Sequence, residues 1–328
     1  MIKTILVPLD GSSVAEQGLA AACRIARGTG AALLLMRSVV YFAVEEATRE
    51  DEGRDLQEAR EYLDTVKRDL ERQGLAVATE VLPVDPVRAI LFAAEAHDVD
   101  LISICTHGRS GIEHAVLGSV AGAVLRRSTA PILLTRAGAH ATSPTGTPYG
   151  RILVPLDGTA FAETALSYLR REEIGRGAKL LLLRVVAPVP PPLVPAAMRD
   201  GALAVLDLTE RAAKRHRLEG EASLQAAGAA LPEDWTWQSR VMLGDPGEVI
   251  LRVAEGEGSE LIAIATHGHH GWDRLLHGSV TRRLLHRSTI PMLIMRGVAA
   301  DAAEEGVDAA AAQAGPIATG AGQIAPSA

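Results

Sequence analysis

The sequence is short of aromatic residues, cysteines and long apolar runs, and each shortage excludes a class of protein. Phe, Trp and Tyr make up only 3% of the 328 residues, so stacking platforms for single-stranded nucleic acid are scarce. Cys23 and Cys105 cannot form a disulfide framework and show no C-x-x-C spacing, which favours a reducing, cytoplasmic location. The opening residues have too short an apolar run for a signal peptide. The run after Leu180 is broken by Arg184 and by five prolines within residues 188–195, so we expect no membrane segment.

Positive charge is also in short supply. The net charge of −7 argues against a protein that binds the phosphate backbone of nucleic acids. The final stretch, residues 298–328, is rich in alanine and glycine and contains acidic residues but no lysine or arginine. We predict that this stretch is a disordered tail.

What the sequence does contain is a repeat. ILVPLDGS at residues 5–12 returns as ILVPLDGT at residues 152–159. Between the two copies, residues 138–150 are small, polar and rich in proline and glycine, which is typical of a linker. We therefore predict two domains, at residues 1–137 and 151–297, joined by that linker.

Within each copy, short apolar runs alternate with amphipathic segments. In the first copy, Ser13 and Glu16 form a capping-box signature that opens a helix, and residues 31–39 form an apolar run, as in a strand covered on both faces. This alternation predicts a parallel sheet with right-handed crossovers, so that each copy is a five-stranded doubly wound α/β unit flanked by helices. The apolar fifth strands, residues 132–135 and 292–295, would be exposed edges in isolation, so we predict that they meet within the chain as a pseudo-two-fold dimer.

A glycine-rich loop stands at the same place in both copies. It reads ICTHGRSGIEHAVLGSV at residues 104–120 and IATHGHHGWDRLLHGSV at residues 264–280, after the fourth predicted strand and before a helix. Ligands of open α/β sheets bind at the carboxyl ends of the strands, where the winding reverses. A helix N-terminus also offers unsatisfied N–H donors and a positive dipole. These features favour a phosphate ligand.

The residue types in the loop fit that ligand. Gly118 and Gly278 remove a Cβ where phosphate would approach, and Ser119 and Ser279 offer hydroxyl donors. The alternative is that the glycines serve only tight turns and helix entry. However, the nine residues between Gly108 and Gly118 exceed the usual length of such connections, about two to six residues. The length therefore favours a ligand-binding loop.

The chain resembles the universal stress protein family in its tandem form, over nearly all of both copies. Nucleotide-binding members of that family carry G-x2-G-x9-G-[ST] after the fourth strand. The second glycine and the closing pair are present in both copies, as Gly108 with Gly118-Ser119 and as Gly268 with Gly278-Ser279. The first glycine is replaced by Cys105 and Ala265. Both replacements are small, so we expect the loop to survive.

The resemblance implies an adenine nucleotide alpha-hydrolase-like fold and ATP as the ligand. It implies that the aspartate ending the first strand contacts adenine, and that the end of the second strand supplies a backbone partner. From the residues alone, such an aspartate is more often a turn or helix-cap residue, and the two roles are compatible. The predicted nucleotide-binding residues are Asp10, Ser38, Thr106, Gly108, Gly111, Gly118, Ser119, Val120, Asp157, Val185, Thr266, Gly268, Gly271, Gly278, Ser279 and Val280.

No catalytic or metal-binding residue is predicted. His107 and His267 have no Ser, Cys or carboxylate at a spacing suited to a triad or metal cluster, so we interpret them as residues that brace the loop. Glu113 and Asp273 are interpreted as solvated carboxylates, and the alternative is that they hold Mg²⁺ through water.

These considerations predict an ATP-binding, nucleotide-responsive stress-survival regulator rather than a fast enzyme. Phosphoryl transfer needs cations at the phosphates, and the loops offer only Arg109 and His269, so any ATP hydrolysis should be slow. An alternative is a protein-interaction module of the same fold that binds no nucleotide and acts through self-association or an unknown protein partner; Cys105 and Ala265 support it. An adenylylating enzyme is disfavoured because no S-G-G-x-D-S loop occurs.

We also predict that the two sites differ, with the second binding ATP more tightly. Ala265 departs less from the missing glycine than Cys105 does. Val185 gives an apolar flank where Ser38 has a hydroxyl that needs a partner. Crowding of the second loop by the bulky Trp272 would oppose this order.

Overall fold

The computed structural model describes residues 1–40, 49–106, 117–137, 148–187, 202–266 and 279–296. Within these residues, the two copies have the same order of strands and helices. The first copy contains β1 (Thr4–Pro8), α1 (Ser13–Thr29), β2 (Ala32–Ser38), α2 (Arg49–Arg72), β3 (Val77–Leu82), α3 (Pro86–Ala96), β4 (Leu101–Thr106), α4 (Ser119–Arg127) and β5 (Ile132–Arg136). The second contains β6 (Arg151–Pro155), α5 (Thr164–Arg171), β7 (Lys179–Val186), α6 (Ala202–Ala229), β8 (Thr236–Leu243), α7 (Pro246–Gly256), β9 (Leu261–Thr266), α8 (Ser279–Arg287) and β10 (Met292–Arg296).

Short polar side chains determine where the helices begin. Ser12 caps α1, because its hydroxyl accepts a hydrogen bond from the N–H of Ala15 at 3.2 Å. The predicted cap, Ser13, was therefore one residue too late. The reason is that the N–H of Ser12 donates to the carboxylate of Asp10 at 2.9 Å, which favours the extended conformation of a capping residue at Ser12. Asp85 caps α3 in the same way, ahead of a proline in the first turn.

All ten strands join one sheet, in the order β3-β2-β1-β4-β5-β10-β9-β6-β7-β8. The strands of each copy run parallel to one another. The predicted five-stranded, doubly wound α/β units are therefore confirmed.

The two copies meet at their fifth strands. β5 and β10 pair in antiparallel register, with Ile132 opposite Ile294 and Leu134 opposite Met292. This pairing confirms the predicted pseudo-two-fold dimer, and it removes both apolar edges from solvent, since these four residues are buried.

The core consists of two apolar layers, one on each face of the sheet. Along β2, Leu33 and Leu35 contribute to the layer beneath α1 and α5, whereas Leu34 and Met36 contribute to the layer beneath α3, α4, α7 and α8. Because successive side chains of a strand point to opposite faces, a strand covered on both faces must be apolar at every position. This explains the apolar run of β2 from Ala32 to Met36, whereas Arg37 and Ser38 at its end are only partly buried.

The domain limits remain predictions. Tyr149, inside the predicted linker, is fully buried, and its ring lies 4.4 Å from the guanidinium carbon of Arg24. The predicted tail, residues 298–328, lies outside the described residues. None of the described helices combines the length and the apolar character that a membrane crossing requires.

Candidate functional site

A crevice opens in each copy where the winding of the sheet reverses. In the first copy this point lies between β1 and β4. β1 pairs with β2 along five residues, but with β4 only through Ile5 and Leu6. The carboxyl ends of β1 and β4 therefore diverge. β6 and β9 of the second copy pair over the same two positions, Ile152 and Leu153, so the second copy has the same opening.

Helix α1 explains why the strands part. The hydroxyl of Ser103 donates a 2.8 Å hydrogen bond to the carbonyl of Gly18. Gly18 lies so close to β4 that a Cβ placed on it would be 3.1 Å from the backbone nitrogen of Cys105. The carboxyl half of β4 is thus held by the helix rather than by β1.

The phosphate end of the predicted site is the N-terminus of α4. Gly118 is the capping residue, and no described side chain caps the helix. A Cβ placed on Gly118 would meet no described atom within 4 Å. Ser119 is exposed, and Val120 is partly buried against the apolar layer beneath α4. The first turn of α4 therefore presents backbone N–H groups, with the positive end of the helix dipole, where no described residue covers Gly118.

The base end of the predicted site is a tight turn that both copies share. The carboxylate of Asp10 accepts the N–H of Ser12, and that of Asp157 accepts the N–H of Thr159, each at 2.9 Å. In each turn, a glycine with positive φ separates the aspartate from the residue that donates to it. The φ of Gly11 is +85° and that of Gly158 is +80°, a conformation that residues with a side chain rarely adopt. Both aspartates therefore have the turn role, and their contact with a base stays a prediction.

By alternation along β2, the side chain of Ser38 points to the same face as Leu34 and Met36, which belong to the layer beneath α3 and α4. The hydroxyl of Ser38 donates to the carbonyl of Val84, so it already has the partner that it needs. Val185, its equivalent on β7, packs against the apolar layer beneath α7 and α8. The predicted disadvantage of Ser38 in the first site is therefore smaller than the sequence indicated.

The last two side chains of the fourth strand point to opposite faces of the sheet, and only that of Cys105 faces α1. Thr106 is buried, and its hydroxyl donates to the carbonyl of Thr135 at 3.4 Å. The Cβ of Cys105 would be 3.4 Å from a Cβ on Gly18, so this side chain packs against α1. Burial raises the pKa of the Cys105 thiol, so the thiol is not an activated nucleophile. Ala265 likewise packs against the layer beneath α1 and α5.

Sequence reasoning missed an arginine beside each turn. A Cβ on Gly11 would lie 3.6 Å from Nη1 of Arg37, and the guanidinium of Arg37 stacks on the Tyr62 ring at 5.2 Å. In the second copy, Nη1 of Arg184 lies beside Gly158 and is buried without a hydrogen-bond partner among the described residues. The available signal was a charged residue at the same place in two apolar strands, LLLMRS and LLLLRV.

Several of the predicted residues lie partly or wholly outside the residues that the structure describes. The backbone of Thr266 and Ser279 is described but their side chains are not, and Val280 begins the described part of α8 with its side chain partly buried. The predicted residues for which no structure is described are Gly108, Gly111, Gly268, Gly271 and Gly278, together with His107, Arg109, Glu113, His267, His269, Trp272 and Asp273. Among the residues that are described, no three His, Cys, Asp or Glu side chains cluster in a way suited to a metal ion.

Comparison with known proteins gives a consistent result. A family model described as the universal stress protein family matches residues 1–136 and again residues 148–296. A universal stress protein of Methanocaldococcus jannaschii is 30% identical over 141 residues, which are 42% of this chain and 83% of that protein. One of Mycolicibacterium smegmatis is 25% identical over 293 residues, 85% of this chain and 92% of that protein. The crystal structure of a universal stress protein from Archaeoglobus fulgidus has the same fold, with a TM-score of 0.65 at 20% identity, and the match covers 89% of this chain and 98% of that one.

Proposed function

The chain belongs to the universal stress protein family, and from that premise we propose that it binds ATP at two sites and acts as a nucleotide-responsive stress-survival regulator. Each site would occupy the crevice of one copy. In the first copy the triphosphate would lie at the N-terminus of α4 and the adenine at the turn that follows β1.

The observation that carries this proposal is the N-terminus of α4. Its first turn begins at Gly118, has no cap from a described side chain and meets open space at the position of a Cβ. It stands on the side of the sheet where β1 and β4 diverge. Backbone N–H groups at an uncapped helix start bind phosphate oxygens well, because the donors are preoriented and the helix dipole favours negative charge.

The base end supports adenine in particular. A carboxylate such as that of Asp10 accepts hydrogen bonds and cannot donate them when ionised. Adenine presents an exocyclic amino group, which is a donor, and a ring nitrogen that the backbone at the end of β2 would complement. The turn hydrogen bond from Ser12 uses one carboxylate oxygen and orients the group.

Hydrolysis of the bound ATP should be slow. Fast phosphoryl transfer needs a cation at the β- and γ-phosphates, a firmly held metal ion and a positioned nucleophile. Arg37 and Arg184 lie beside the turn at the base end of each site, away from the proposed phosphate position. Positive charge at the phosphates would therefore have to come from Arg109 or His269 of the loops. Glu113 and Asp273 are interpreted as solvated carboxylates, and the alternative is that they hold Mg²⁺ through water when the nucleotide arrives as its magnesium complex.

The first experiment is to denature the purified protein and identify the released small molecules by mass spectrometry. The second is calorimetry of ATP binding to the Gly118→Val/Gly278→Val double variant, in which a Cβ branch blocks the phosphate path at both helices. We expect an affinity loss of at least about tenfold. Gly256→Val is the matched control, because Gly256 also has open space at its Cβ position but ends α7 near the amino end of β9. Unchanged affinity in the double variant would refute the site assignment.

A nucleotide-independent interaction module remains the second candidate, because Cys105 and Ala265 interrupt the family's binding motif. It predicts that no nucleotide is released on denaturation and that added ATP leaves the melting temperature unchanged. The ATP-binding proposal predicts the opposite result in both measurements, since a ligand that binds only the folded state stabilises it.

A further inference from the structure

Two arginines make reciprocal hydrogen bonds across the seam, the antiparallel pair of β5 and β10 that joins the two copies. Arg136 ends β5, and Arg296 ends β10 at the equivalent position of the repeat. Nη2 of Arg296 donates to the carbonyl of Arg126 in the first copy at 2.7 Å. Nη2 of Arg136 donates to the carbonyl of Leu285 in the second copy at 2.9 Å. Each copy therefore contributes one side chain to the other.

The acceptors are the C-terminal ends of the two helices whose N-termini form the proposed phosphate sites. Arg126 lies in the last turn of α4, and Leu285 lies in the last turn of α8. The last carbonyls of a helix have no intrahelical donor, and the negative end of the dipole favours a cation there. Both arginines are partly buried, which strengthens a charge-assisted hydrogen bond relative to one in water.

Each arginine is also fixed to the start of its own loop. In the sheet, Arg136 pairs with Thr106 and Arg296 pairs with Thr266. These threonines are the last strand residues before the two glycine-rich loops. A single residue thus connects the loop of one site with the phosphate helix of the other. In the first copy, α4 separates the arginine contact at its C-terminus from the proposed phosphate site at its N-terminus. Its nine residues span only about 14 Å, so a displacement of one end of the helix also displaces the other end.

We propose that Arg136 and Arg296 are positioning residues that couple the two nucleotide sites, each holding the phosphate helix of the other copy in its binding position. This inference rests on the proposed function. Nucleotide bound at α4 fixes that helix, the helix fixes Arg296, and Arg296 fixes the start of the second loop. The converse path runs through α8 and Arg136. Because coupling between sites is reciprocal, ATP at either site should tighten binding at the other by the same factor.

The test uses proteins in which one site is blocked. Gly278→Val leaves the first site alone, and Gly118→Val leaves the second. Into each background we would introduce Arg136→Met or Arg296→Met, which retain an unbranched apolar stem but lose the donors. In the first-site protein, Arg296→Met should weaken ATP binding by about threefold to tenfold, the effect expected when a cation is lost from the end of the helix that binds phosphate. Arg136→Met should change it by less than about twofold.

The second-site protein should show the reverse order, with Arg136→Met as the damaging change. This crossed pattern shows that each arginine positions the helix of the other copy. The coupling itself is read in the protein with both sites intact, where ATP at one site should tighten binding at the other and either arginine variant should reduce that effect. Arg296→Lys and Arg136→Lys should recover part of the affinity, since lysine keeps a cationic donor without the planar guanidinium.

The outcomes separate the two proposals. If neither single-site protein binds ATP and the unaltered protein releases no nucleotide, the proposed function fails and takes the coupling with it. If both sites bind ATP but the arginine variants weaken them equally, or each weakens only its own copy, the proposed function stands and the coupling is wrong. Lower melting temperatures with unchanged affinities would also overturn the coupling.

Discussion

Replacing Arg24 by methionine tests what holds the two copies together. Arg24 lies on α1 of the first copy, and its guanidinium pairs with the carboxylate of Glu260, which directly precedes β9 of the second copy. Only 11% of the Arg24 side chain and 25% of the Glu260 side chain are exposed. Tyr149 covers the guanidinium with its ring at 4.4 Å. The Arg24 side chain therefore makes an ion pair with the second copy and also packs against the segment that connects the two copies.

The expected loss follows from these exposures. Removing one partner of a buried ion pair costs about 3–5 kcal/mol, because the other charge stays buried and unpaired. Glu260 keeps about a quarter of its exposure, so water compensates part of that cost. The lost contact with the Tyr149 ring adds about 1 kcal/mol. We expect Arg24→Met to lower the free energy of unfolding by about 2–4 kcal/mol.

Arg176→Met is the matched control. Arg176 pairs with Glu173, but the two side chains are 64% and 47% exposed, and exposed pairs contribute about 0–1 kcal/mol. Urea unfolding would be followed by tryptophan fluorescence, which reports on the second copy because all three tryptophans lie there, and by circular dichroism, which reports on both. Equal losses in the two variants, or a loss below about 1 kcal/mol for Arg24→Met, would refute the reasoning.

Three other residues or pairs give sharp expectations. Cys105 should react with iodoacetamide more slowly than a free cysteine at pH 8, because burial raises its pKa; mass spectrometry of the labelled protein checks this, and rapid labelling would contradict it. The pKa of Asp245 is held below its ordinary value of 3.8, chiefly by the backbone N–H of Glu248, so the stability that it contributes is present at neutral pH and lost as the pH falls. Asp245→Ala should therefore melt earlier than the unaltered protein at pH 7, and the difference should narrow below pH 3.8. For the two sites, Gly278→Val should lose more ATP affinity than Gly118→Val in calorimetric titrations, and the opposite order would show that the first site is the stronger.

The sheet and its seam were predictable because they follow from patterns that repeat in the sequence. Apolar runs such as that of β2 indicate strands covered on both faces, and two apolar fifth strands in a duplicated chain favour pairing. The position of the α4 N-terminus was also predictable, since the closing Gly118-Ser119 marks a helix start. These features depend on local sequence and on periodicity, which a single sequence displays.

The missed contacts depend instead on backbone groups that sequence does not mark. The hydroxyl of Ser38 finds the carbonyl of Val84, and Arg296 finds the carbonyl of Arg126 across the seam. Every residue has a carbonyl, so the identity of an acceptor residue carries no signal of its role. Which carbonyls lack a donor is decided by where the helices end in three dimensions. Because the Ser38 hydroxyl has this partner, the prediction that the second site binds ATP more tightly rests mainly on the apolar flank that Val185 provides.

The missing glycine of the motif has a physical explanation in the contact between helix and strand. In the first copy the strand carries Cys105 and the facing helix carries Gly18, and a Cβ on Gly18 would already be 3.1 Å from the strand backbone. The equivalent positions of the second copy are Ala265 and Ala165, which lie in the same apolar layer. A larger strand residue thus accompanies a smaller helix residue, as close packing requires. Because this exchange takes place on the α1 face of the sheet, the substitution adds no atom on the α4 face, where the phosphate is proposed to bind, and the loss of the glycine does not by itself argue against ATP.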